Sequence, residues 1–246
     1  MDARAVLLLF DIDGTLILTG RAGVRAMTRA FEALWGVADA FAGISMGGRT
    51  DSWLVSEALA RAGIAATPGR HARFRDAYVP LLAEEIQLPG TGLKGVMRGV
   101  RELLDAARLQ PHLHLALLTG NYQEAAAIKL RYFELWDYFS FGAFSDDAAD
   151  RNHLVPIARE RAIGHGLPEG AGARVVVIGD TPHDVACARA GGARSIGVAT
   201  GGHSRDELIR AGADAALDDL SDTEAILRLL TARRGHAQQH ERSDAG

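Results

Sequence analysis

At 246 residues, 48% of them hydrophobic and 24% charged, the chain is long enough for one large domain or two small ones, with a substantial core. A net charge of −4 without a basic patch argues against a nucleic-acid partner, and no apolar stretch approaches the ~20 residues of a membrane span. The single cysteine, Cys187, excludes an intrachain disulfide and a cysteine-rich zinc site; the start, Met1-Asp2-Ala3-Arg4, lacks a signal-peptide h-region, so the expected compartment is the cytoplasm.

The run Ala5-Val6-Leu7-Leu8-Leu9-Phe10 predicts a buried inner strand, and Asp11-Ile12-Asp13-Gly14-Thr15-Leu16 follows it directly. Helical patterns then occupy residues 21–34, 51–62 and 69–85. The segment Gly90-Thr91-Gly92-Leu93-Lys94-Gly95 matches a dinucleotide-binding pattern but follows no strand, so it reads as a hinge. A crossover helix is expected over 96–107, and strands over 113–118 and 138–141. Thr119-Gly120-Asn121 closes the first of these strands, with Asn121 expected to cap a helix whose third residue is Glu124. Beyond lie a helix over 152–163, a strand over 174–178 and a helix over 181–190, which Thr181 caps ahead of Pro182. A strand over 194–199, a helix over 204–211, a weaker strand over 213–217 and a helix over 221–230 complete the pattern. Ser204-x-x-Glu207 and Ser221-x-x-Glu224 have the form of capping boxes. Residues 233–246 are polar and read as a disordered tail.

Strands alternating with single helices imply an α/β class: a doubly wound parallel sheet. The interval between Phe10 and Leu113 is several times the ~30 residues of a βαβ unit. The excess predicts an inserted helical cap over residues 18–88, with a core formed by 1–17 and 89–232. Such an insertion would sit over the carboxyl ends of the strands as a lid.

Three strand ends carry the chemistry. Asp11 and Asp13, two apart, fall on one side of the final pleat and resist joint ionisation unless a cation lies between them. Oxygen donors favour a hard ion such as Mg2+. Gly14 permits a sharp turn. Thr119, Gly120 and Asn121 offer a hydroxyl and free N–H groups to a phosphate. Gly179-Asp180-Thr181-Pro182-His183-Asp184 ends the strand over 174–178, with Asp184 also suited to capping. In the insertion, the glycines of Gly47-Gly48-Arg49-Thr50-Asp51 would bring Arg49 toward the non-phosphate end of a bound ligand, the alternative being an exposed loop arginine.

These motifs, in this order, resemble the haloacid dehalogenase superfamily, in its branch with a helical cap after the first strand, such as phosphoglycolate phosphatases. The resemblance covers residues 4–231. It implies a Rossmann-like core with a C1-type cap. It makes Asp11 the nucleophile, Asp13 the general acid and base, and Mg2+ the cofactor, held by Asp11, the Asp13 carbonyl and Asp180. Asp184 would lie behind the metal or orient a cation. The family places a lysine after its third strand; here that segment reads Asp146-Asp147-Ala148-Ala149-Asp150-Arg151-Asn152. Arg151 is therefore the candidate phosphate-binding cation, bidentate and always charged. Lys129 is its rival, ten residues past Thr119 on a helix expected to carry it away from the strand ends.

The expected activity is Mg2+-dependent hydrolysis of a small phosphate monoester through an aspartyl-phosphate. A phosphomutase on the same scaffold and a non-catalytic phosphometabolite-binding protein are the alternatives. The expected partner is a small phosphorylated metabolite, with no nucleic acid or membrane, and the protein is expected to be a monomer or homodimer.

Overall fold

The computed structural model describes residues 5–168 and 173–231; the expected tail over 233–246 lies outside them. Six parallel strands form one sheet. They are β1 (Val6–Phe10), β4 (Leu113–Leu118), β5 (Gly142–Ala143), β6 (Arg174–Gly179), β7 (Arg194–Val198) and β8 (Ala215–Leu217). Their order is β5-β4-β1-β6-β7-β8. The order reverses beside β1, so the central strand carrying Asp11 and Asp13 lies at the switch point where open α/β sheets bind ligands.

β1 pairs with β4 through Leu8↔Leu115 and with β6 through Leu8↔Val176. Its alternating side chains serve two faces. Val6, Leu8 and Phe10 pack with α4 (Val100–Arg108), α5 (Gln123–Tyr132) and α9 (Thr223–Thr231). Leu7 and Leu9 pack with α6 (Leu154–Gly164) and α7 (Pro182–Ala190). Burial on both faces is why these strands read as unbroken apolar runs. α8 (Arg205–Arg210) connects β7 to β8.

Between β1 and β4 lie α1 (Ala22–Trp35), α2 (Asp51–Arg61) and α3 (Pro68–Glu85). They share an apolar cluster centred on Phe31, Leu59, Phe74 and Tyr78, to which α5 and its preceding residue add Ala125 and Tyr122. Polar ties join this layer to the sheet: Asp51 N–H donates to the Gly120 carbonyl (2.6 Å), the Thr50 hydroxyl to the Ala149 carbonyl (2.5 Å), and Ser52 N–H to Ser145 Oγ (2.9 Å). Among the described residues, no helix is long and apolar enough to cross a membrane.

Several expected elements differ. The helix expected over 96–107 begins at Val100, because Lys94–Val96 forms β3, antiparallel to β2 (Ile17–Thr19). The strand expected over 138–141 is displaced: Trp136–Tyr138 is a 3-10 turn, and Gly142–Ala143 makes the pairing with β4. The helix expected over 152–163 opens as a 3-10 turn, Arg151–His153, before α6. The capping box at Ser204 and Glu207 forms, whereas the one at Ser221 does not. Asp222 Oδ1 accepts the Ala225 N–H (3.0 Å) and Ser221 turns to Asp219. The glycine-rich segment before β3 is preceded by α3, not by a strand.

Candidate active site

Asp11 extends from β1 into the carboxyl-end cluster and is 4% exposed. Arg151 Nη2 lies 3.0 Å from Asp11 Oδ1 and also pairs closely with Asp184 Oδ1. It donates further to the Leu118 carbonyl (3.2 Å), while Nη1 reaches the Gly48 carbonyl (3.3 Å). Burial disfavours the Arg151 charge, but Asp11 and Asp184 together hold it firmly protonated. Asp184 also completes the capping box with Thr181, accepting its N–H (3.0 Å) and hydroxyl (2.7 Å). Capping and ion pairing thus fall on one side chain.

Asp180 ends β6, accepts the Thr15 hydroxyl (3.2 Å), and presses against Gly14. Gly14 has φ +86°, and a Cβ there would stand 2.4 Å from Asp180 Oδ2, so the turn after Asp13 requires glycine twice over. Asp11, Asp180 and Asp184, all buried, place carboxylate oxygens within 4.8 Å of one another. Burial pushes Asp11 up to about 6 against the pull of Arg151. Burial, with Asp184 and Asp11 adding repulsion, holds Asp180 well above the usual carboxylate range. Three carboxylates facing one guanidinium leave an unbalanced negative cluster. Its all-oxygen donor set fits a hard divalent cation.

Asp13 faces the cavity with its side chain 40% exposed. Lys129 Nζ donates to Asp13 Oδ2 (2.6 Å) and to Asn121 Oδ1 (2.6 Å). Asn121 Nδ2 reaches Asp13 Oδ2 (2.8 Å) and Thr119 Oγ1 (2.8 Å). Two sequence expectations are therefore corrected. Asn121 does not cap α5: Asp51 Oδ2 accepts the Tyr122 N–H (2.8 Å) and Asp146 Oδ2 the Gln123 N–H (2.6 Å). Lys129 is not carried away from the strand ends. A helical side chain leans toward the helix N-terminus, and the long lysine stem covers the remaining distance. The signal was present in the pattern, since Lys129 sits on the buried stripe of Ala125, Ala126 and Leu130.

Thr119 is fully buried, and its Oγ1 accepts from both Asn121 Nδ2 and Asn121 N–H (3.3 Å). Its own proton is thereby left to donate. Gly120 lets the two layers meet: a Cβ there would lie 2.0 Å from the Arg49 carbonyl. Arg49 lines the cavity, with its guanidinium 4.2 Å over the Trp53 ring. His183, half-buried and lowered by burial and then by Arg49, borders the same corner.

Asp11, Asp13, Thr119, Gly120, Asn121 and Arg151 thus converge on one cavity of about 380 Å³. Asp180 and Asp184 reach it through Asp11, with which their carboxylates cluster. Asp51 and Tyr78 also line it, and neither stood out in the sequence as a site residue.

Residues 8–189 match the family model for haloacid dehalogenase-like hydrolases. That is well over half the chain, which therefore belongs to this hydrolase family, as its motif order predicts. The chain is 27% identical over 237 residues to a phosphoglycolate phosphatase of Pectobacterium atrosepticum, covering 95% of this chain and 94% of that one. It is also 27% identical over 236 residues to the probable phosphatase IndB of Dickeya dadantii, covering 92% and 96%. A solved hydrolase from Pseudomonas syringae superposes with a TM-score of 0.67 at 22% identity, over 93% of this chain and all of that one. A β-phosphoglucomutase-like structure from Thermotoga maritima gives 0.56 at 22% identity, over 91% and 99%. At these identities the two structures speak for the fold.

Proposed function

We propose that this protein is a Mg2+-dependent phosphatase that hydrolyses a small-molecule phosphate monoester through an aspartyl-phosphate on Asp11. The carrying observation is the contrast in surroundings between two carboxylates two residues apart. Asp11 is buried against Arg151, whereas Asp13 is open to the cavity and held by Lys129 and Asn121.

With Oδ1 of Asp11 facing Arg151, its other oxygen attacks phosphorus. The bond from phosphorus to the leaving oxygen breaks as Asp13 delivers a proton to that oxygen. Asp13 then takes a proton from the water that cleaves the aspartyl-phosphate, restoring Asp11 and releasing phosphate. Thr119, the Gly120 N–H and Arg151 would bind the phosphoryl oxygens. Lys129 fixes Asp13 in place throughout. Mg2+ would be held by Asp11, the Asp13 carbonyl and Asp180, with Asp184 behind it, and would neutralise charge as the carboxylate meets the phosphate. Residues 18–88, carrying α1–α3, would act as a lid that excludes water and presents Arg49 to the substrate. The protein acts in the cytoplasm in this reading.

Phosphate release from p-nitrophenyl phosphate, with and without EDTA, beside Asp11→Asn, tests it. Activity is expected to need both the metal and Asp11; activity surviving both changes would refute the assignment. A bisphosphate product from sugar phosphates with little free phosphate would assign a mutase instead, and ligand binding without turnover a sensor.

A further inference from the structure

The cavity carries polar groups, beside Lys129 and Asp13, that the hydrolytic machinery leaves unused. Asp51, the first residue of α2, is 5% exposed. Its Oδ2 accepts the Tyr122 N–H, whereas its Oδ1 receives no hydrogen bond among the described residues. Tyr78, on α3, is fully buried with its ring stacked on Phe74 (5.8 Å), and its hydroxyl likewise has no hydrogen-bond partner among the described residues. Both residues line the same cavity. Both polar atoms face the cavity without a protein partner among the described residues, so an acceptor and a hydroxyl are open to a ligand there.

The neighbouring groups decide what that ligand group is. Lys129 Nζ and the Tyr78 hydroxyl converge beside Gly23, 3.5 Å and 3.7 Å from the point a Cβ there would occupy. The Lys129 ammonium is already engaged at 2.6 Å by Asp13 and again by Asn121. A carboxylate arriving here would therefore meet two carboxylates, Asp51 and Asp13, with one Lys129 donor left to answer it. Arg49 also lines the cavity, with its guanidinium turned over the Trp53 ring and close enough to His183 to lower it. A hydroxyl suits the site: it donates to Asp51 Oδ1 and accepts from the Tyr78 hydroxyl. The cavity, about 380 Å³, lies near the lower end of ligand pockets, so the alcohol is small.

We propose that Asp51 and Tyr78 read a hydroxyl on the leaving group, so that the substrate is a phosphorylated polyol or sugar rather than a phosphorylated hydroxy acid without a further hydroxyl. This rests on the phosphatase reading above. The two carboxylates then have opposite tasks: Asp13 handles the scissile oxygen, and Asp51 recognises an oxygen further along the same alcohol.

Phosphate release from glycerol 3-phosphate and from 2-phosphoglycolate, measured on the full chain with Mg2+, tests the proposal. The native protein is expected to favour the polyol ester at least tenfold in kcat/KM. Asp51→Asn removes the repulsion and is expected to narrow that preference about tenfold, chiefly by lowering KM for 2-phosphoglycolate, a gain that misfolding cannot produce. Tyr78→Phe is expected to raise KM for the polyol ester about tenfold while kcat changes less than threefold. Native preference for 2-phosphoglycolate, or an unchanged ratio in Asp51→Asn, would overturn the proposal. Failure to release phosphate from any ester, p-nitrophenyl phosphate included, would overturn the phosphatase reading itself.

Discussion

Replacing Asp51 with asparagine should make the protein more stable at alkaline pH. Burial pushes the Asp51 carboxyl from 3.8 up to about 7, with Lys129 and the Tyr122 N–H pulling the other way. The folded state therefore holds a proton that the unfolded chain releases. Below about pH 4 both states are protonated and the group is neutral in its effect. As pH rises from about 4 to about 7 the unfolded chain ionises first, and stability falls; above 7 the penalty is constant. At about 1.4 kcal/mol for each tenfold change in proton affinity, the rise comes to about 4 kcal/mol. Water in the cavity that Asp51 lines screens the charge and brings the expected cost to about 2 kcal/mol, or about 4–8 °C in Tm for a chain of this size. Asparagine keeps an acceptor for the Tyr122 N–H and has no charge to desolvate. Thermal unfolding of native protein and Asp51→Asn at pH 5 and pH 8, without metal, reads the effect. The variant should melt higher, by a margin that grows between these two pH values. A variant that melts lower at pH 8, or a margin independent of pH, would refute the reasoning.

Mg2+ should raise Tm, by about 2.7 kcal/mol of added stability at a hundredfold excess over its Kd. Its binding should release protons near pH 7, because Asp11 and Asp180 are held above their usual range without it. Calorimetric titration in buffers of different ionisation enthalpy detects this, and buffer-independent heats would contradict it. Arg151→Met should cost about 3–5 kcal/mol, since it strands Asp11 and Asp184 as buried carboxylates. A denaturant midpoint equal to the native one would contradict that loss. Lys129→Met should lower kcat for p-nitrophenyl phosphate about a hundredfold with little change in Mg2+ affinity, because it releases the Asp13 side chain and leaves the Asp13 carbonyl, Asp11 and Asp180 in place. An unchanged kcat would show that Asn121 alone positions Asp13.

The central strands were legible because a parallel sheet covered on both faces demands continuous apolar runs, and β1, β4, β6 and β7 supply them. β5 has only two residues, Gly142 and Ala143, too few to leave a pattern; the aromatic run before it belongs to a turn. β2 and β3, of three residues each, were hidden for the same reason. Within the site, Asp11, Asp13, Thr119 and Asp180 stood at strand ends, and Asp184 in the first turn of the helix after one, where sequence position determines spatial position. Lys129 was misjudged by counting distance along a helix axis and ignoring the reach and lean of its side chain. Asp51 closed the segment singled out for Arg49, with no role of its own. Its carboxylate is buried and takes the N–H of Tyr122, 71 residues on, a pairing that no local pattern reveals.

The central claim is that Asp11 carries the phosphoryl group. Mass spectrometry of the native protein, acid-quenched during turnover of p-nitrophenyl phosphate, tests it directly. We predict an acid-stable, hydroxylamine-labile adduct with the mass of one phosphoryl group on the peptide containing Asp11, absent from Asp11→Asn. Sustained phosphate release by the native protein with no such adduct, together with full activity in Asp11→Asn, would contradict the account.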